Sequence, residues 1–281
     1  MNARWLVIAV ALTLFLVFLP FAQILTYPFL IFSTFIHETA HAIAAVMTGG
    51  QVESLIVRMD GSGVTYTRGG IRFLVTSAGY IGTTIFGAFL LILSGKESRV
   101  RPALMGAALF VLVITALFAG HTNNLLVLAL ITAIVTLFVA SRRGLQSENI
   151  KRSPTMGAAF TLLIVLFAYL VLTRSLFSWS VGLLIASALI GVARFASIRI
   201  AHFFLTFLAV QCSLNALNAI KTLYFVSLTS SCGNDAAAMA SLTGVPAWLW
   251  ALLWAILSVF ILIISAAFYA RKSLRVTPFP V

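Results

Sequence analysis

FLIFSTFIHETAHAIAAVMTGG, residues 29–50, is an apolar run long enough to cross a bilayer, and His37, Glu38 and His41 are set inside it as HExxH. On an α-helix the two histidines lie one turn apart and face the same way, so both imidazoles reach a single Zn²⁺ at about 2.0–2.1 Å. Glu38 lies about 100° further round the helix, beside the metal without ligating it, where a general base stands to take a proton from water. An ionisable residue deep in a membrane costs about 2.5–3.5 kcal/mol even on the lenient insertion scale. Three within five residues therefore call for a compensating partner, and a metal is one. Two histidines bonded by coincidence to neighbouring helices are the competing reading, which is the poorer one in a chain with only four His.

The rest of the chain has the same apolar character. Of 281 residues, 62% are hydrophobic and 9% charged, against about a quarter charged in a soluble domain. Besides the motif's run at 28–48, apolar runs lie at about 4–26, 71–94, 102–119, 122–140, 156–173, 176–192, 199–227 and 244–270. The expected fold is an all-α polytopic membrane protein of eight or nine transmembrane helices in one membrane domain, 1–281; 156–192 counts as two spans or as a hairpin of short helices broken at Thr173-Arg174-Ser175. The first run meets Tyr27-Pro28 and lacks a small-residue cleavage site, so it reads as an uncleaved segment.

One stretch breaks the helical pattern. Gly50 to Gly70 reads GQVESLIVRMDGSGVTYTRGG, two β-rich runs around Asp60-Gly61-Ser62-Gly63, and predicts a small β-hairpin at about 51–68 directly after the motif helix.

The net charge of +12 comes from 18 Lys and Arg against 6 Asp and Glu. In a membrane chain it reports basic loops facing anionic headgroups, and no nucleic-acid partner is expected. Nine crossings put the loops at 95–101, 141–155 and 194–199 and the tail from Arg271 on one face, with 12 of the 18 basic residues. That face is expected to be cytoplasmic, with the hairpin, the 228–243 loop and the N-terminus toward the other. Two cysteines, Cys212 and Cys232, make no disulfide framework and no CxxC signature.

A catalytic zinc needs three protein ligands and an open position. Glu53, Asp60, Glu97 and Glu148 sit in the hairpin or in basic loops and read as solvated charges. Asp235 lies in SLTSSCGNDAAAMASLTG, where Cys232 is the one other ionisable residue. It is either the third ligand or the N-cap of the short helix AAAMASL; His202 and Cys232 are the remaining candidates. Gln211, Asn215, Asn218 and Thr222, at spacings of four, three and four, form one polar stripe on a helix. The stripe serves as hydrogen-bonded packing between helices, or Asn215 and Asn218 line a hydrated path and hold the substrate backbone or the developing oxyanion.

HExxH within a hydrophobic helix, the continuation HAIAAVMTGGQV, SAGYIG at 77–82 and GNDAAAMASLTGVPAWLW from Gly233 together resemble the site-2 protease family of intramembrane zinc metallopeptidases. The resemblance covers 30–95 and 200–270, and is to the compact branch that has no PDZ domain and carries its third ligand in an Asn-Asp or Ser-Asp segment. It implies one Zn²⁺, a ligand at Asp235, a place for Gly79 beside the active site, and a transmembrane protein as substrate. The Asn-x-x-Pro-x-x-x-x-Asp-Gly-like stretch of better-known members is absent.

The expected protein is a multi-pass zinc metalloprotease of the bacterial cytoplasmic membrane. It hydrolyses membrane-embedded proteins, with Glu38 as base and His37, His41 and Asp235 as ligands. Its partners are the bilayer and a transmembrane substrate. The rival reading is non-enzymatic: an inactive membrane scaffold, or an ion-binding transporter with a structural metal site. Transporter sites come with inverted repeats and broken helices, and no repeat is visible in the sequence.

Overall fold

A computed structural model describes residues 2–17, 19, 21–120, 129, 131–136, 154–172, 175–229 and 233–274. In chain order the elements are α1 (Asn2–Val17), α2 (Ala22–Met47), β1 (Gln51–Val57), β2 (Gly63–Arg68), α3 (Arg72–Ser94), α4 (Glu97–Phe118), α5 (Pro154–Leu172), α6 (Leu176–Phe195), α7 (Ile198–Thr229), α8 (Asp235–Thr243) and α9 (Ala247–Leu274). Among the described residues six helices are long and apolar enough to cross a membrane: α2, α3, α4, α6, α7 and α9. The protein is an integral membrane protein. Shorter apolar stretches lie at Arg4–Thr13 and Phe160–Val171, and most of the run at 122–140 falls outside the described residues, so the described residues account for six candidate spans of the eight or nine expected.

Two features of the N-terminal region differ from expectation. Helix α1 ends at Val17 and α2 begins at Ala22, so Tyr27-Pro28 is not a boundary and Pro28 lies inside α2. In that second turn its ring removes one intrahelical bond, to the Ile24 carbonyl, a loss that neighbouring protein makes tolerable in an apolar layer. The second difference is the side on which the chain starts. Helix α1 runs parallel to α7, with the Trp5 ring 6.3 Å from that of His202 and the Gln211 amide donating to Thr13 Oγ1 at 3.3 Å. Its first residues therefore lie at the end of the bundle where Arg101 donates to the Ala196 carbonyl (3.1 Å), beside the basic loops and not at the hairpin end. With 16 residues, α1 is about 24 Å long at 1.5 Å per residue, short of the roughly 30 Å hydrocarbon layer.

The core joins α2, α3, α4, α6 and α7 through buried residues such as Phe35, Leu90, Leu104, Leu189 and Leu205. The hairpin belongs to this core, since Leu55 and Val57 of β1 are buried in the same cluster. A two-stranded hairpin is marginal in water, and this one is fastened along its length. Its strands are antiparallel, in the register Leu55 to Thr65 and Val57 to Gly63, with a bulge between Val52 and Ser54. At its base the Ile71 amide donates to Thr48 Oγ1 (3.0 Å); near its tip Tyr27 donates to the Met59 carbonyl (2.6 Å) and Thr34 to the Gly61 carbonyl (2.8 Å). The hairpin thus folds back along α2 from Thr48 toward Tyr27, beside the motif, and does not project beyond the bundle's end. Helix α3 starts from the same end as α2 finishes and returns antiparallel to it.

Candidate functional site

The HExxH turn lies in the C-terminal half of α2, and each motif residue meets a different element. His41 Nδ1 is 2.7 Å from the Val75 carbonyl of α3. A carbonyl only accepts, so Nδ1 carries the proton and the Nε2 lone pair is left facing inward. The Nε2 atoms of His37 and His41 lie 3.1 Å apart. The ring of His37 meets Tyr80 edge to face, centroids 4.5 Å apart, and Tyr80 stacks on Trp254 of α9 at 5.5 Å. Gly79, one residue before Tyr80, packs directly under both imidazoles: a Cβ there would overlap Nε2 and Cε1 of His37 and Nε2 of His41. Close approach of α3 to α2 therefore requires a glycine at 79.

Asp235 comes to the same point from 194 residues beyond His41 in the numbering. Its Oδ2 lies 3.2 Å from His37 Nε2 and 3.4 Å from His41 Nε2. The cap of the short helix is the residue before Asp235. Asn234 is the N-cap of α8, its side chain accepting from the Ala237 amide at 2.8 Å, which leaves the Asp235 carboxylate free to turn toward the histidines. Helix α8 is seated by Ala236 and Met239, both fully buried among Ile220, Leu223, Ala251 and Trp254. Trp250 adds a hydrogen bond from its indole to Thr243 (3.1 Å). Donor atoms of His37, His41 and Asp235 all lie within 4.8 Å of one another. Two imidazole nitrogens and a carboxylate oxygen are a donor set that suits zinc, and the packing of Gly79 leaves these atoms room to converge.

Glu38 is 5% exposed and faces the hairpin. Thr65 Oγ1 of β2 lies 2.7 Å from Glu38 Oε2 and 3.0 Å from its main-chain carbonyl. A cleft of about 660 Å³ opens in front of these groups. Leu30, Thr34, His37, Glu38 and His41 line it from α2, Gly63 to Thr65 and Thr67 from the hairpin, and Asn215, Asn218 and Thr222 from α7; Asp235 closes one side.

The polar stripe of α7 divides by depth. Gln211 is buried against Thr13 of α1, whereas Asn215, Asn218 and Thr222 reach the cleft. The Asn215 Nδ2 is buried with no hydrogen-bond partner among the described residues. The other third-ligand candidates lie elsewhere: His202 is buried beside Trp5, and Cys232 falls outside the described residues. Glu53 pairs with Arg68 at 2.9 Å. Asp60 accepts from the Ser62 amide at 2.8 Å, and its bonds with Ser62 hold the carboxyl below its usual range. Glu97 lies in the first turn of α4, and Glu148 is outside the described residues. Sequence reasoning missed Thr65, which carries no motif, and passed over Tyr80, although it lies in the SAGYIG stretch beside Gly79.

No curated protein and no solved structure matches the chain. The family model described as Peptidase M50B-like matches residues 6–150 and 145–265, which takes in the motif helix, the hairpin, α3, α7 and α8. With nearly the whole of its length matched, and with HExxH meeting a distant aspartate inside a membrane bundle, the chain belongs to the Peptidase M50B-like family.

Proposed function

We propose that the protein is an intramembrane zinc endopeptidase that hydrolyses peptide bonds of membrane-embedded substrates. The observation that carries this reading is the convergence of His37, His41 and Asp235 within 4.8 Å, at the wall of a cleft that Glu38 also lines. These three residues would hold one Zn²⁺, which when bound supplies a Lewis acid and lowers the pKa of water toward 7. Glu38 takes the proton from water and passes it to the leaving amine. Asn215, whose amide nitrogen lacks a partner among the described residues, and Asn218 offer donors for the substrate backbone or the developing oxyanion.

A helical substrate hides its carbonyls in its own hydrogen bonds, so it must unwind locally to be cut. The hairpin offers an edge for the extended form. The outer edge of β1 is already used: the Leu55 carbonyl accepts from the Gly120 amide at 2.6 Å, and the Val57 amide donates to Ser178 at 3.0 Å. Alternation along an antiparallel pair then directs the main-chain groups of Gly63, Thr65 and Thr67 outward from β2. That edge borders the cleft. A substrate strand added there lies beside Glu38.

Metal content tests the reading. Purified wild type is expected to carry one zinc per chain and His37→Ala none, by elemental analysis of the detergent-solubilised protein. Zinc retained at full occupancy in His37→Ala would place it elsewhere and sink the assignment. Gly79→Ala is a second test from the same geometry. The added methyl would stand against the Nε2 atoms of His37 and His41 and displace the imidazoles while every ligand residue stays in place, and zinc affinity is expected to fall by about 10–100-fold, as for changes in groups that orient ligands. Competition with a chelator measures it, with insertion and helicity unchanged.

A further inference from the structure

We propose that Thr65 is the positioning residue for Glu38, so that the strand on which a substrate is laid also holds the general base. The inference rests on the functional reading above for its catalytic meaning, but the contact itself is independent of it.

Two residues of β2, on the same face of the strand because they are two apart, form a cradle for one carboxylate. Gly63 lets the strand approach: a Cβ at that position would stand 2.5 Å from Glu38 Oε1. Thr65 then supplies the donor, its hydroxyl 2.7 Å from Oε2. A hydroxyl has a single proton, and a charged carboxylate oxygen outcompetes the more distant main-chain carbonyl at 3.0 Å. A buried carboxylate on a helix otherwise rotates among several side-chain rotamers. Held at one oxygen and packed against Gly63 at the other, Glu38 keeps one orientation toward the cleft.

The support does not end at Thr65. Thr65 is paired with Leu55 across the hairpin, Leu55 is fully buried and its carbonyl takes the Gly120 amide, and the neighbouring Val57 is tied to Ser178. The hydroxyl that fixes the base is thereby anchored, through a strand, to the helices on the far side of the hairpin. Substrate main chain added at Thr65 and base orientation set by Thr65 are consequently referenced to one residue, which aligns the bond to be cut with Glu38.

Two measurements on the full-length protein in detergent test this, using Thr65→Val, which keeps the shape and removes the donor, and Thr65→Ser, which keeps the donor. In metal-free protein the antisymmetric carboxylate stretch of Glu38, identified by infrared difference against Glu38→Gln, is expected to shift in Thr65→Val and to stay at the wild-type frequency in Thr65→Ser. An unshifted band in Thr65→Val overturns the contact, whatever the protein's activity. With an apolar reporter peptide of about 20 residues carrying a central Asn-Gly break, Thr65→Val is expected to lower kcat about 10–100-fold with KM little changed, as befits loss of a hydrogen bond to a charged group. Thr65→Ser should restore it. A rise in KM alone, or equal losses in Val and Ser, would reduce Thr65 to a wall of the cleft. Full activity of Glu38→Gln on the same peptide would instead remove the base reading, leaving the infrared result standing by itself.

Discussion

Replacing Glu38 by Gln is expected to lower kcat by about 10²–10⁴-fold, the range a positioned general base contributes, while zinc content stays at one per chain. The two side chains have the same shape, and Gln keeps an oxygen that can accept from Thr65, so the hairpin contact at 2.7 Å survives the change. What is lost is the ability to take up a proton. Steady-state cleavage of a transmembrane reporter, alongside elemental analysis, separates chemistry from folding. Wild-type cleavage rates in Glu38→Gln would eliminate the base role. Loss of zinc in that variant would mean that Glu38 is itself a ligand.

The second large effect is expected at Asp235, and the local structure makes the test sharper than sequence alone allows. Asp235→Asn is nearly isosteric, yet it removes the charge that faces His37 and His41 at 3.2 and 3.4 Å. Zinc affinity should fall by more than the about 10–100-fold typical of a change behind the ligands, and activity with it. The companion variant is Asn234→Ala. Asn234 caps α8, so its removal should cost about 1 kcal/mol of helix stability and leave zinc near one per chain. If the two variants behave the other way round, with Asn234→Ala losing metal and Asp235→Asn keeping it, the ligand assignment is wrong.

Much of this site could be read from the sequence because its chemistry is concentrated in one turn of helix. HExxH carries its own geometry, since 3.6 residues per turn bring His37 and His41 to one face wherever the helix lies. The hairpin was equally visible, from two β-rich runs around Asp60-Gly61-Ser62-Gly63. What escaped were relations between distant segments. A polar stripe on α7 gives the face of a helix but not its depth, and depth is what sends Gln211 to Thr13 and Asn215 to the cleft. Asn234 and Asp235 are equally good caps by propensity, so only the position of α8 decides which one caps. Pro28 looked like a helix boundary because proline costs a helix dearly in water; within the bundle the chain continues through it. Thr65 had no signal at all, as threonine is common in any strand.

The unequal edges of the hairpin bear on self-association. An open strand edge is a template for whatever strand arrives next, including that of an identical molecule, and proteins ordinarily blunt such edges with charge, proline or cover. Here β1 is tied to Gly120 and Ser178, while the edge of β2 at Gly63, Thr65 and Thr67 borders a cleft lined by α2 and α7. On the function proposed above, that space takes a single unwound segment, and a neighbour's hairpin, anchored in its own bundle as this one is by Gly120 and Ser178, would not reach it. On that same function, the cleft would admit chains according to their flexibility.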